Sequence, residues 1–264
     1  MDRVEFIGVP GVGKSTIRNR LVKHLQQIDK SLYLDEEQAF LETSKLNMDK
    51  IYRLFLNIFP EYISLKLANK LMNRSIMQFN AQNKFLAKHG KLLHLFLGSS
   101  QFDNMSINDR SIVIGGLLDM GSLFECIDDH LPEKTIVFFE EGFVQKSFMF
   151  VSAIPGEYDD KTDIYSYLDL IPLPRFVICI KANLETCYER MVNRPSGVTD
   201  RLKSAEKNAI FEFLHDADAH VNTLISWLQK KKDVNVLVIN NEKNIETVLK
   251  EVESEFVEIL GHDI

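Results

Sequence analysis

Cysteine is scarce and unpatterned. Cys126, Cys179 and Cys187 form no C-x-x-C and are odd in number, which speaks against a disulfide framework or a cysteine-built zinc site and predicts buried, reduced thiols. Long apolar runs are missing as well: the longest, such as 136–139 and 176–180, are strand-sized and fall far short of the ~20 residues that span a bilayer. No charged leader, apolar h-region or cleavage site precedes the first strand, so the sequence predicts a cytoplasmic protein. Basic charge is in deficit, with a net charge of −7, and this argues against a sequence-independent hold on nucleic acid or an anionic membrane. There is no Asn-Lys-x-Asp to read guanine and no His-Glu-x-x-His. His215 and His220 are five apart and fit one helix face poorly, so neither a GTPase nor a zinc enzyme is expected. Internal repeats, linkers and low-complexity segments are absent.

What is present begins at residue 8. Gly8-Val9-Pro10-Gly11-Val12-Gly13-Lys14-Ser15 matches the phosphate-binding pattern G-x-x-x-x-G-K-[ST]. Glycines at Gly8, Gly11 and Gly13 let the backbone, Val12 included, wrap a polyphosphate with its N–H groups inward. Lys14 then reaches the β- and γ-phosphates, and the Ser15 hydroxyl takes a place on Mg²⁺. Thr16 is expected to add an α-phosphate contact. Residues 4–7 read as the preceding strand and 15–28 as an amphipathic helix with Ile17, Leu21, Val22, Leu25 and Ile28 on one stripe, so a helix N-terminus faces the anion.

The 264 residues, 45% of them hydrophobic, suffice for one large α/β domain with a sizeable insertion. A second strand at 31–34 ends in the acidic cluster Asp35-Glu36-Glu37. From about 39 to 131 proline almost vanishes and apolar residues recur at helical spacing, which predicts consecutive helices broken near Phe59-Pro60 and Gly98-Ser99-Ser100. Strand pattern returns at 135–139, 176–180 and 235–239. Helices are expected over 143–153, 161–170, 183–194, a long polar stretch at 204–231, and 245–259. Alternating strands and helices imply a parallel, doubly wound sheet covered on both faces.

Three constellations carry chemistry. Glu140 and Glu141 end an apolar strand, where a carboxylate stands beside the Ser15 corner and holds the metal through water; the alternative is a plain strand cap. Arg190 and Arg194 lie four apart on a helix leading into a Pro/Gly loop, with Arg201 beyond it. Such guanidinium groups close over a triphosphate and neutralise charge on the transferring phosphoryl group, or are solvated helix ends. Asp35, Glu36 and Glu37 offer a general base for a hydroxyl, or form an exposed acidic loop. Tyr52, Phe55, Phe59 and Phe79 could stack a base in the helical insertion, but at helical spacing they are expected in the core.

The phosphate loop, the acid-ended strand, and Leu173-Pro174-Arg175-Phe176-Val177-Ile178-Cys179-Ile180 running into 183–194 resemble the thymidylate kinase and deoxynucleoside kinase group of P-loop kinases over residues 3–28, 134–142 and 172–201. The resemblance implies a five-stranded parallel sheet, ATP and Mg²⁺, lid arginines at positions 190 and 194, and an acid after the second strand as base. Residues 39–131 match no part of that group; from their own pattern they are read as a helical insertion between strands 2 and 3 of one domain over 1–264. The chain departs from the group in lacking an arginine after its acidic pair; Lys146, one turn on, is a candidate substitute. Asp109-Arg110-Ser111 has the letters of that pair without the strand. The expected function is ATP-dependent phosphotransfer to a small acceptor such as a nucleoside, nucleotide or sugar. The rival is a P-loop ATPase acting as a conformational switch with a protein partner. No membrane or nucleic-acid partner is expected, and a homodimer is compatible with the reading.

Overall fold

The computed structural model describes residues 1–47, 56–72, 76–99, 106–150, 161–194 and 205–261, with isolated residues 53, 102, 198 and 202. Strand β1 (Asp2–Ile7) leads through the phosphate loop into α1 (Lys14–Ile28). Strand β2 (Tyr33–Asp35) follows, then the helices α2 (Glu36–Asn47), α3 (Glu61–Met72), α4 (Ile76–Leu97) and α5 (Ile107–His130). Strand β3 (Ile136–Phe139) precedes the short α6 (Phe143–Lys146), a 3-10 turn at Ser147–Phe150, and α7 (Lys161–Leu170). The chain closes with β4 (Phe176–Lys181), α8 (Leu184–Val192), α9 (Lys207–Leu228), β5 (Asn235–Asn240) and α10 (Ile245–Gly261).

The sheet order is β2-β3-β1-β4-β5 with every pairing parallel, the doubly wound α/β architecture expected from the sequence. Helices on both faces explain why the inner strands are continuous apolar runs: Val4, Phe6, Ile7, 136–139 and 176–180 are all buried. Because β1 lies between β3 and β4, the chain emerging from β1 has the carboxyl ends of both neighbours beside it. A crevice at that point is where open α/β sheets bind ligands.

Several expectations need correction. Ile17, Leu21, Val22 and Leu25 face the core, but Ile28 is exposed because it ends α1 and the chain turns away at Asp29. The second strand spans 33–35, not 31–34. Asp35-Glu36-Glu37 is no loop: Asp35 accepts the Gln38 N–H at 2.8 Å while the Gln38 side chain accepts the Asp35 N–H at 3.2 Å, a capping box that starts α2 at once. Helix α9 is not a polar helix, since Phe213, Leu214, Ala217, Val221, Leu224 and Leu228 bury one face. Phe59 and Phe79 are exposed rather than core, because helical spacing does not say which stripe meets a neighbour; Tyr52 and Phe55 lie outside the described residues. The helix expected over 143–153 is α6 and the 3-10 turn, and 151–153 lie outside the description.

All three cysteines are free and buried, as expected. Burial pushes the Cys126 thiol up to about 11, Cys179 to about 12 and Cys187 to about 11, so they stay protonated and unreactive. Among the described residues no helix is long and apolar enough to cross a membrane.

Beneath the end of β3 lies an ion pair with no sequence signature. Arg3 Nε meets Glu5 Oε1 at 2.9 Å, both side chains buried. The Arg3 guanidinium sits 4.5 Å over Phe124 and 5.3 Å over Phe143. Glu5 Oε2 accepts the Val144 N–H at 2.8 Å. A Cβ at Gly142 would lie 2.0 Å from the Glu5 carboxyl carbon, so only glycine lets the turn after Glu141 press this close. The pair thereby holds the segment that carries Glu140 and Gln145 against β1. Burial raises the Glu5 carboxyl and lowers the Arg3 guanidinium, each partly offset by the other.

Candidate active site

The phosphate loop adopts the conformation its glycines permit. Gly13 caps α1 with φ 101° and Gly11 has φ 82°, both in the left-handed region that disfavours other residues. Space demands the same: a Cβ on Gly11 would lie 2.1 Å from the Cys187 carbonyl oxygen, and one on Gly13 2.5 Å from Asn241 Nδ2. The first amide of the loop, Gly8 N–H, donates to Gln145 Oε1 at 3.1 Å. Lys14 folds back over the loop and donates from Nζ to the Gly8 carbonyl at 2.7 Å. Burial pulls this ammonium down to about 8, although Glu141 and Glu140 pull it upward and Arg194 lowers it further. A desolvated ammonium among backbone groups at a helix N-terminus is an arrangement that favours an anion.

On the β3 side the expected partners meet. Ser15 Oγ donates to Glu140 Oε1, so the end of β3 reaches the first turn of α1. Arg18, one turn further along α1 and buried, lies 3.5 Å from Glu140 and 3.6 Å from Glu36. Burial raises the Glu36 carboxyl, and Arg18 only partly opposes this. The three acids after β2 are therefore separated by the fold: Asp35 is committed to the helix cap, Glu37 is exposed, and Glu36 alone lies beside Glu140. Glu141 is exposed and pairs with Lys146 at 3.3 Å. Glu36, Glu140, Glu141 and Lys146 line a cleft of about 390 Å³ with Gly116, Asp119, Met120, Leu123 and Phe139. A larger cavity of about 530 Å³ is walled by α2 from Gln38 to Leu46, by residues between 56 and 64, and by Lys30, Ser31, Pro132 and Thr135; none of the residues lining it belongs to the loop.

On the β4 side the loop is braced. Arg190 donates to the carbonyls of Val12 and Asn241, each at 3.3 Å, and Asn241 Nδ2 donates to Val12 O at 2.7 Å. Arg190 therefore holds backbone here, where the sequence places it in a mobile lid. Arg194 is exposed just beyond α8 and is near enough to Lys14 to act on its charge. Thr16 is exposed in the first turn of α1, and Arg201 lies outside the described residues. His215 is exposed while His220 is buried, so the two do not share a face. Among the described residues no cluster of three His, Cys, Asp or Glu is placed to hold a metal ion.

Arg18, Gln145, Asn241 and the Arg3–Glu5 pair were not legible in the sequence. An arginine on a helix and an asparagine after a strand are ordinary surface residues until their neighbours are known. Only the capping pattern Asp35-x-x-Gln38 carried a local signal, one that separates Asp35 from Glu36.

No protein-family profile matches the chain, and no curated protein matches it. Its fold is similar to those of two solved kinases. The thymidylate kinase of Ehrlichia chaffeensis is 12% identical, with 98% of each chain covered and a TM-score of 0.42. The deoxyadenosine kinase of M. mycoides, solved with its products dCMP and a flexible dCDP, is 13% identical, with 97% of this chain and 99% of that one covered and a TM-score of 0.43.

Proposed function

We propose that the protein is an ATP-dependent phosphotransferase that uses Mg²⁺ and acts on a small acceptor. The observation that carries this reading is the cleft of about 390 Å³ opening beside the Ser15–Glu140 corner. Transfer between two bound reactants needs a polyphosphate cradle with a small-molecule recess at its reacting end. Hydrolysis needs the cradle and water alone, and a recess of this size falls in the range of ligand sites.

The donor set fits the proposed ion. Ser15 offers a hydroxyl and Glu140 a carboxylate at one corner, and few hard oxygen ligands from the protein suit a cation that keeps water and phosphate oxygens around it. When bound, the ion neutralises charge on the phosphates and orients them. The chain's own residues do the rest. Loop amides and Lys14 bind the phosphates, and Arg18 holds Glu36 and Glu140 in place. Glu36, its carboxyl raised by burial, takes the proton of the acceptor hydroxyl, a task for which a raised pKa is the better match near neutrality. Arg194 meets the charge on the transferring group. Catalysis of this kind is mostly positioning and electrostatics.

A second reading, an ATPase switch, is favoured by the exposed apolar side chains Phe59, Tyr62, Phe79, Ile107 and Ile112 on the helices between β2 and β3, which offer a docking surface. Incubation with γ-labelled ATP and a panel of nucleosides, nucleotides and sugars, with water as control acceptor, separates the two. The expected result is slow hydrolysis alone and much faster ADP release with label transfer to one class of compound. Acceleration by a macromolecule and by no small molecule would replace the first reading with the second.

A further inference from the structure

The wall of the cleft opposite the strand ends is helix α5, which presents Gly116, Asp119, Met120 and Leu123, the i, i+3, i+4, i+7 stripe of one helical face. Glycine inside a helix is destabilising relative to alanine, so each one in α5 needs a reason. Gly121 has one: a Cβ there would lie 2.4 Å from the Phe85 ring. Gly115 and Gly116 have none from packing, since no atom of the described residues lies within 4 Å of where their Cβ atoms would stand. At Gly116 bare helix backbone thus faces the open volume beside Glu36 and Glu140, the arrangement that lets a ligand lie close against it.

The charges lining the cleft are one-sided. Glu36, Asp119, Glu140 and Glu141 face a single lysine, Lys146. That lysine is paired with Glu141 at 3.3 Å, and the adjoining Arg18 is paired with Glu36 and Glu140. Asp119, one turn from Gly116, has no hydrogen-bond or ion-pair partner among the described residues. With Glu140 committed to the Ser15 corner, the lining among the described residues offers an acceptor the exposed, unpaired carboxylate of Asp119 and no unpaired cation. A phosphate on the acceptor would meet like charge, whereas an ammonium on Asp119 forms a charge-assisted pair.

We infer that the acceptor is an amine-bearing polyol, lying on the bare backbone at Gly116 with its ammonium on Asp119, and that it carries no phosphate; this rests on the phosphotransfer reading. The acceptor hydroxyl oxygen bonds to the γ-phosphorus of ATP. The bond from that phosphorus to the bridging oxygen breaks with its electron pair remaining on ADP, and the hydroxyl proton passes to Glu36.

The test measures ADP release and label transfer by the full chain with MgATP and glucosamine, kanamycin, glucose or glucose 6-phosphate. An amine-bearing probe is expected to exceed glucose by about tenfold or more in kcat/KM, the scale of a hydrogen bond to a charged group, and glucose 6-phosphate is expected to be inert. Asp119→Asn should raise KM for the amine-bearing probe by a similar factor while kcat stays within about twofold, and should erase the preference over glucose. Gly116→Ala should raise the melting temperature, as alanine does in an open helix position, and still raise KM, a combination that a purely structural glycine does not produce. Equal use of glucose and the amine-bearing probes, turnover of glucose 6-phosphate or of unaminated nucleosides in their place, or an unchanged KM in Asp119→Asn overturns the inference. Absence of both MgATP binding and hydrolysis in the unaltered protein would instead overturn the phosphotransfer reading beneath it.

Discussion

The two flanks of the phosphate loop are built in opposite ways. Toward β4 and β5 the loop is packed: Gly11 abuts the Cys187 carbonyl, Gly13 abuts Asn241, and Arg190 and Asn241 both donate to Val12 O. Toward β3 it meets side chains that hold each other by charge, Ser15 with Glu140 and Arg18 with Glu140 and Glu36, and beyond them the chain leaves a cleft. The packed flank gives the loop its shape, and under the proposed function the open flank supplies the reactive groups and the room for a second ligand. The division is economical in physical terms, because backbone contacts at van der Waals distance are rigid while solvent-facing carboxylates exchange partners easily.

The comparison is broken most directly at Lys14, which both flanks serve. Lys14→Ala is expected to abolish turnover, by about three orders of magnitude, with an unchanged circular-dichroism spectrum, since under the proposed function Lys14 serves the phosphates and not the core. In the unaltered protein, affinity of the free enzyme for MgATP should decline as pH rises through about 8, where Lys14 loses its charge. Lys14→Arg should flatten that decline, and a flat profile in the unaltered protein would contradict it.

On the open flank, Glu140→Gln is expected to reduce kcat about a hundredfold, the scale of a lost electrostatic contact to the reacting charge. Glu141→Gln should cost far less, because Glu141 is exposed and its partner is Lys146. Equal effects of the two, read in kcat at saturating MgATP, would mean that the metal shell is shared between them.

The flanks should separate cleanly in the arginines. Arg190→Ala, on the packed side, is expected to weaken MgATP binding about tenfold by loosening the Val12 carbonyl, on the scale of a charged hydrogen bond. Arg194→Ala should lower kcat more than it weakens binding, because its contact tightens in the transition state. The reverse pattern, measured by nucleotide titration beside steady-state rates, would make Arg190 the lid residue and Arg194 a surface charge.

The smallest effect concerns the support behind the open flank. His220 on α9 shares a 2.8 Å hydrogen bond with Ser147, and burial holds its pKa down at about 4. The unfolded chain takes up this proton near pH 6.5 and the folded chain only near 4. Stability is therefore fully present above about pH 6.5 and declines as pH falls toward 4, by about 3 kcal/mol at most. Urea unfolding of His220→Gln at pH 7 and pH 5 should show a reduced slope with pH. An identical slope would place the acid sensitivity elsewhere.

Much of this was legible in one dimension. The phosphate loop is a run of adjacent residues whose backbone needs are written in its glycines, and the strands are runs whose burial on both faces makes them apolar. The breaks near Pro60 and Gly98 and the helix at 161–170 were legible because local propensity decides them. Ile28, Phe59 and Phe79 were misread for one reason: periodicity defines a stripe but says nothing of whether a neighbour covers it. The Arg18–Glu36–Glu140 cluster was illegible because its members come from three elements, and the pairing of β3 with both β1 and β2 is what puts them within reach.

The sequence by itself determined that the chain builds a glycine-rich strand-to-helix loop on a doubly wound parallel sheet, because loop conformation, helix start and strand burial are each set by residues close together in the chain. Tertiary structure alone decided which carboxylate stands beside Glu140, that Arg190 is bound to backbone, and that Gly116 and Asp119 wall the cleft beside Glu140. Those facts depend on the order of strands in the sheet and on where the helices between β2 and β3 come to rest, and packing over long sequence separations settles both.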